Sequence, residues 1–306
     1  MKRIIMAMVS RVGLVYVVVF FILCGVFNQS QVSDDVLNTA RPSADYLHFF
    51  AYGTKPFDQN EFKRAKAYYL TLIGGNFSTA AMHASLGFCN FYLNDIPGSL
   101  KQYKIALSMD ARMYAFYYDV GVIKQQQGDY QVAQDMFRKA IYLLPKTKEE
   151  LLEVLHISDK YRKHNMYQYY YKERLPWDKR MAYIHLFECL IELKEFQGLL
   201  IFASDAFKAF PNDPEIYYYA SLASYNLGYI KEAMAFILKC MTVAPNFAKA
   251  HELKAMYMRL MGDEEAMKQD LLSFKHFQEK DGWKRNNEIQ DLHHWDENTL
   301  LFQIYR

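Results

Sequence analysis

Residues 114–147 read YAFYYDVGVIKQQQGDYQVAQDMFRKAIYLLPKT, and this stretch decides the fold. It contains two sets of apolar and small residues spaced three or four apart, so each set lies on one face of a helix. The two sets are Tyr117, Val120 and Gly121, then Ala133, Phe137 and Ala140. Gly128 and Asp129 lie between the sets and are residue types that end one helix and begin another. The stretch therefore predicts a hairpin of two antiparallel helices.

The stretch resembles one unit of the tetratricopeptide repeat family, with Pro145 at the position that closes the unit. The same register is found in the segments 80–113, 180–213, 214–247 and 248–281. Two further segments are degenerate: 46–79, where Pro56 breaks the first helix and a second helix is predicted over 58–72, and 148–179, which is two residues short. The resemblance implies an all-α fold, an α-solenoid in which antiparallel helix hairpins form a right-handed superhelix over residues 46–281.

The flanking segments predict a membrane anchor and a terminal cap. Residues 1–28 combine three basic residues with the apolar run 12–27, which indicates one transmembrane or signal-anchor helix. The basic residues precede the run, so the repeats are expected on the extracytoplasmic side, which is the periplasm in a bacterium. A cleaved signal peptide giving a secreted form and a lipoprotein modified at Cys24 are the alternatives. Residues 29–45 read as a polar tether, and 282–306 as a helix capping the last repeat. The apolar residues of this last segment are Ile289, Leu292, Trp295, Leu300, Leu301 and Ile304.

Composition and motifs argue against several classes of function. A formal net charge of +2 gives no support for nucleic-acid binding. Cys89, Cys189 and Cys240 have no metal-ligand spacing and fall at core positions of their units. His293 and His294 are adjacent, so on a helix they point about 100° apart and do not share one metal ion. We find no catalytic motif and expect neither an enzyme nor a metal or cofactor. The basic and aromatic segment 161–177 is interpreted as a solvated helix, with a second partner-binding spot as the alternative.

The family resemblance implies a concave groove lined by fixed positions of the first helices. Carried over residue by residue, these positions are Phe88, Phe91, Tyr92, Tyr118, Val122, Gln125, Ile184, Glu188, Tyr218, Leu222, Tyr225, Asn226, Met256 and Arg259. The set is mainly aromatic and aliphatic, and it largely lacks the lysines and asparagines with which some family members grip a C-terminal carboxylate. An extended or helical peptide with apolar anchors fits this surface best. In the alternative interpretation, many of these aromatic side chains pack among themselves.

These observations predict a membrane-anchored, non-catalytic scaffold or adaptor that binds protein partners through the groove. An envelope assembly or secretion system is the expected setting. The alternative is a small-ligand or lipid-binding subunit of a transport or export pathway, since an aromatic-lined superhelix can also enclose an apolar ligand.

Overall fold

The computed structural model of the protein describes residues 59–75, 78–154, 171–172 and 175–280. These residues form α-helices joined by short turns, and no strand occurs among them. The helices are α1 (Gln59–Gly74), α2 (Ala80–Tyr92), α3 (Ile96–Met109), α4 (Tyr114–Gln126), α5 (Tyr130–Leu143), α6 (Lys148–Val154), α7 (Leu175–Glu192), α8 (Phe196–Ala209), α9 (Pro214–Asn226), α10 (Ile230–Val243), α11 (Ala248–Met261) and α12 (Glu264–Lys280). The all-α prediction is confirmed, and the helix predicted over 58–72 corresponds to α1.

The described residues fall into two compact units. Among the described residues, one unit holds those up to 123 and those between 142 and 176, and the other holds 124–141 and 177–280. In the first unit α2 packs on both α1 and α3. In the second unit α8 to α12 pack in series, each on the next. Within each unit, these helices contact mainly their neighbours in sequence, which is typical of a solenoid.

Several predicted segments lie outside the described residues. These are the anchor 1–28, the tether 29–45, the start of the segment 46–79, most of 155–174, and the segment 282–306 predicted as a terminal helix, which includes His293 and His294. Most of the basic and aromatic segment 161–177 is among them. Among the helices that are described, none is long and apolar enough to cross a membrane.

The turns inside the hairpins share one backbone geometry. Counting the first residue of each 34-residue segment as position 1, the residue at position 15 has a positive φ in every described hairpin of this register. These residues are Asn94, Gly128, Lys194, Gly228 and Gly262, with φ of 62°, 75°, 59°, 81° and 80°. In each turn the next amide donates to a carbonyl five residues back, as Asp129 does to Lys124 at 3.0 Å. This is the Schellman motif, which favours glycine because a Cβ is strained at positive φ.

The two helices of a hairpin approach closely because small residues face each other. In the hairpin of α2 and α3, the Ser99 hydroxyl donates to the Gly87 carbonyl at 2.7 Å. In the hairpin of α9 and α10 the bond runs the other way, from the Ser221 hydroxyl to the Ala233 carbonyl, also at 2.7 Å. The same two positions of the unit therefore hold the helices together, although the serine changes sides.

Hydrogen bonds from position 4 connect each of three segments to the one before it. Tyr117 donates to the carbonyl of Ala111 at 3.2 Å, and Tyr217 donates to that of Pro211 at 2.9 Å. The His251 Nε2 makes the equivalent contact with the Pro245 carbonyl at 2.8 Å. In each case the acceptor lies six residues before the donor, so a tyrosine and a histidine fill one structural role.

Buried polar groups add further contacts between neighbouring segments. In the first unit the Tyr103 hydroxyl donates to Asp119 Oδ2 at 2.9 Å, and both side chains are buried. Burial and the adjacent carboxylate raise the pKa of Tyr103 well above its ordinary value, so the hydroxyl remains a donor. The three cysteines of the described chain are buried, as predicted, and burial raises the pKa of each thiol to about 12.

Arg180 makes the corresponding contact in the second unit. Its guanidinium bonds both carboxylate oxygens of Asp213 and reaches Glu215 Oε2 at 2.6 Å. Asp213 also caps α9 by accepting from the amide of Glu215 at 3.0 Å. Burial lowers the pKa of Arg180, but the two carboxylates outweigh it and raise the pKa above its ordinary value. The arginine pairs with two buried acidic side chains at the joint between α7 and α9, and removing one member of a buried ion pair is strongly destabilising.

We expect Gly87→Ala to lower the free energy of unfolding by about 1–3 kcal/mol, because overpacking forces a well-packed core to shift. A Cβ at this position would lie 2.9 Å from the Tyr103 ring and 3.2 Å from the Ser99 carbonyl oxygen. Thermal and urea denaturation followed by circular dichroism would measure the change. Gly74→Ala is the control, since a Cβ there meets nothing within 4 Å and the helix should be unchanged or slightly more stable. Equal stability of the two variants would contradict the close approach of α2 and α3.

Candidate functional site

The fourteen residues predicted to line the groove differ widely in exposure. The buried ones are Phe88, Phe91, Tyr118, Val122 and Ile184. The half-buried ones are Tyr92, Gln125, Glu188, Tyr218, Leu222 and Tyr225, and the exposed ones are Asn226, Met256 and Arg259. The accessible members are therefore concentrated on α9 and α11. Their role in binding stays a prediction.

The predicted residues of α2 in the first unit are enclosed by an aromatic cluster. The ring of Phe62, on α1, stacks on Tyr92 with centroids 4.7 Å apart and planes 2° from parallel. Phe88 lies 6.2 Å from Phe62 and 4.7 Å from Tyr92, and Phe91 meets Tyr92 edge-on at 5.3 Å. In this part of the chain the predicted aromatic residues pack on each other and on the preceding helix.

Glu188 in the second unit is held by side chains from three helices. Its Oε2 accepts from Gln125 Nε2 at 2.9 Å, and its Oε1 accepts from the Tyr219 hydroxyl at 3.0 Å. His185, one turn before it on α7, places Nδ1 3.3 Å from the same Oε2. Two residues assigned to partner binding, Gln125 and Glu188, are thus bonded to each other. Tyr219 was not predicted from the sequence, because its position in the unit does not face the groove in the family pattern.

We expect Glu188→Ala to lower the free energy of unfolding by about 1–3 kcal/mol, the cost of leaving buried donors without an acceptor. The Tyr219 hydroxyl loses its acceptor, and the link between α7 and α9 is lost with it. Urea denaturation would measure the effect. Glu232→Ala is the matched control, because Glu232 is exposed on α10 and should tolerate the change. A neutral Glu188→Ala would contradict the contribution of these hydrogen bonds to stability.

A strip of half-buried apolar side chains follows α9. Tyr218, Leu222 and Tyr225 are four and three residues apart, so they lie on one helix face. They pack on a core cluster of the second unit that includes Leu253 and Tyr257 of α11. The rings of Tyr225 and Tyr257 stack with centroids 5.1 Å apart. One side of each strip residue is fixed by the core, while the other remains accessible.

The helix beside this strip adds an exposed apolar group and an exposed cation. Met256 precedes Tyr257 and is 38% exposed, and Arg259 follows one turn later near the end of α11. Within the described part of the chain, the Arg259 guanidinium has no ion pair or hydrogen bond. The amide of Asn226 at the end of α9 donates to the Leu222 carbonyl at 2.8 Å. We call Tyr218, Leu222, Tyr225, Met256 and Arg259 the α9–α11 surface.

A cavity of about 390 Å³ lies elsewhere in the second unit, on the side of the second helices. It is lined by Leu200, Ser204, Phe207, Ser224, Tyr229, Glu232 and Phe236. The rings of Phe207 and Phe236 stack at 5.6 Å and close one side of it. Its volume is at the lower end of the range for small-molecule sites. Among the described residues, no group of three or more His, Cys, Asp or Glu side chains is arranged to hold a metal ion.

Two segments of the chain, 114–147 and 214–247, match the family profile of the tetratricopeptide repeat. The chain therefore contains tetratricopeptide repeats, as the sequence predicted. No curated protein matches the sequence significantly.

Solved structures with a similar fold are repeat proteins of low sequence identity. The crystal structure of YrrB, described as a TPR protein with an unusual peptide-binding site, is 18% identical over 69% of this chain and 92% of its own, with a TM-score of 0.49. MamA from Desulfovibrio magneticus RS-1, from residue 41 to its end, is 16% identical over 66% of this chain and 97% of its own, with a TM-score of 0.50. PilF from Pseudomonas aeruginosa is 12% identical over 78% of this chain and 99% of its own, with a TM-score of 0.51. The similarity to MamA and PilF, with TM-scores of 0.50 and 0.51, shows the fold alone, a helical solenoid.

Proposed function

We propose that this protein is a non-catalytic scaffold that binds a protein partner through the α9–α11 surface. The observation that carries the proposal is the combination of a rigid apolar strip with exposed Met256 and with Arg259, whose guanidinium no described residue pairs. Solenoids of this kind offer extended surfaces made by successive helices, and such surfaces suit protein partners better than small substrates.

The side chains of the α9–α11 surface indicate the chemical character of the partner segment. Tyrosine and leucine side chains that are already fixed by the core lose little conformational entropy on binding. They can therefore bind apolar side chains of a partner peptide at a low entropic cost. Arg259 offers a planar guanidinium, which recognises a carboxylate by two parallel hydrogen bonds. We therefore propose a helical or extended peptide segment that presents apolar side chains beside an acidic group.

We expect the double substitution Met256→Asp/Arg259→Glu to abolish capture of the partner in crosslinking experiments on native membranes. The change places acidic groups against the apolar and acidic partner segment without removing a core residue. Quantitative mass spectrometry of crosslinked complexes from cells expressing the full-length protein would identify what is lost.

The matched control is Leu238→Asp/Lys239→Glu on α10, which makes the same change in net charge at exposed positions. A partner captured by the parent and the control, but lost from the surface variant, supports the proposal. Retention of every partner by the surface variant would overturn it. The two variants are first compared by circular dichroism and thermal denaturation, so that loss of binding is separated from loss of folding.

We further propose that the repeats act at a membrane, outside the cytoplasm, in an envelope assembly or secretion system. The support is the sequence of residues 1–28, with its basic residues ahead of the apolar run 12–27. Tethering would hold the α9–α11 surface near membrane-bound partners and raise their effective concentration.

The second candidate function, a small-ligand or lipid-binding subunit, is favoured by the cavity between α8 and α10. Its lining is mainly aromatic and aliphatic, and it includes the buried hydroxyl of Ser224. If this function holds, native mass spectrometry of the purified full-length protein should show a bound mass that Phe236→Trp removes, because the larger ring fills the cavity. A spectrum of the free protein alone would count against the ligand function and leave the scaffold proposal in place.

A further inference from the structure

The cavity between α8 and α10 includes a buried hydroxyl that the described part of the chain leaves unbonded. Ser224, on α9, is 0% exposed, and its Oγ makes no hydrogen bond to a described residue. Two serines buried to the same degree are bonded, Ser99 to the Gly87 carbonyl and Ser221 to the Ala233 carbonyl, both at 2.7 Å. Because a buried polar group without a partner is unfavourable, Ser224 indicates that the cavity receives a hydrogen-bonding ligand.

Aromatic side chains that hold one another in place form the wall of this cavity. The Phe207 ring stacks on Phe236 at 5.6 Å and on Tyr217 at 4.7 Å. The Tyr217 hydroxyl donates to the Pro211 carbonyl at 2.9 Å, which fixes this third ring. Tyr229, immediately before α10, adds another aromatic side chain to the lining and is 46% exposed. Aromatic rings carry negative charge density on their faces, so a wall of this composition favours a cation over an anion.

The charge of the lining has the same preference. Glu232, in the first turn of α10, is the one charged residue among those that line the cavity. It is exposed, and within the described ranges no basic side chain forms an ion pair with it. Lys208, next to Phe207 in the chain, is paired with Asp205 at 2.8 Å. The lining therefore offers one carboxylate that a positively charged ligand can neutralise.

We propose that this cavity binds a primary alkylammonium group. Its apolar stem lies against Leu200 and the rings, and its charged head lies between the Ser224 hydroxyl and the Glu232 carboxylate. An ammonium group has three N–H donors and no acceptor, so it can bond both oxygens and still face an aromatic ring. An anion is repelled by Glu232, and a hydrocarbon leaves Ser224 without a donor. The inference rests on the second candidate function, since it names the ligand class of the same cavity.

The test compares two probes on purified full-length protein in a nonionic detergent. They are butylammonium and 1-butanol, a neutral molecule of the same chain length, and saturation-transfer NMR titrations give the Kd of each. We expect butylammonium to bind about tenfold more tightly than 1-butanol. Glu232→Gln should weaken butylammonium binding about two- to fivefold and leave 1-butanol binding unchanged. Glu252→Gln is the matched control, because Glu252 is exposed on α11 outside the cavity and should affect neither probe.

Ser224→Ala separates a binding role of the hydroxyl from a structural one. The substitution should weaken butylammonium binding severalfold. The thermal midpoint of the free protein should stay the same or rise, because the hydroxyl that is removed has no partner in the fold. A lower midpoint together with unchanged affinity would show that Ser224 serves the fold, and it would overturn the proposal.

A lysine side chain of a partner protein and a free amine carry the same head group, and a third probe distinguishes them. Tighter binding of N-acetyl-lysine methylamide than of butylammonium assigns the cavity to a partner's lysine, and the reverse order assigns it to a free amine. Equal binding of butylammonium and 1-butanol, or binding of neither probe, would overturn the ammonium inference. The bound mass that Phe236→Trp removes tests the ligand function separately, so the two failures are distinguishable.

Discussion

Burial between neighbouring hairpins is the constraint on which the rest of this structure depends. A pair of helices of 13 or 14 residues has too little interior to be stable alone, and in the second unit α9 packs on the preceding α8 and α10 on the following α11. Positions 20, 24 and 27 show the result, since they are fully buried wherever a hairpin has a successor. In the hairpins of α2 with α3 and of α9 with α10, small residues at positions 8 and 20 let the backbones approach, and a large side chain fills position 24. The hairpin of α7 and α8 reverses the sizes, with Phe187 and Leu199 at positions 8 and 20 and Ala203 at position 24.

Polar contacts at the joints explain why the accessible surface is smaller than the family pattern implies. Neighbouring segments are connected by Tyr103 with Asp119, by Arg180 with Asp213 and Glu215, and by Glu188 with Gln125 and Tyr219. Each pair brings buried or half-buried polar groups together, and such groups are costly to leave unsatisfied. Glu188 and Gln125 therefore have partners within the chain, whereas Arg259 offers a charge that the described residues do not neutralise.

The sequence was sufficient for the fold because the pattern that specifies it is local. Glycine at positions 128, 228 and 262 and the alternation of small and large residues act within one hairpin, and they predicted all-α architecture correctly. Asn94 and Lys194 adopt the same positive φ without being glycine, so the turn geometry is imposed there by the packing of the two helices. The exposure of Phe88 or Tyr118 was not predictable in the same way. It depends on what the preceding helix contributes, as Phe62 shows, and a position in the family pattern carries no information about that neighbour.

The proposed α9–α11 surface depends on the last hairpin that the structure describes. Met256 and Arg259 lie on α11, which packs on α12, so the geometry of the surface depends on the stability of this last pair. In a solenoid the stability of a terminal unit comes from its single internal neighbour and from whatever covers its outer face. Lys254 and Asp270 bond across the pair at 2.8 Å, and this ion pair holds α11 and α12 together from the inside. The stability of this pair therefore contributes to the free energy that keeps Met256 and Arg259 in place.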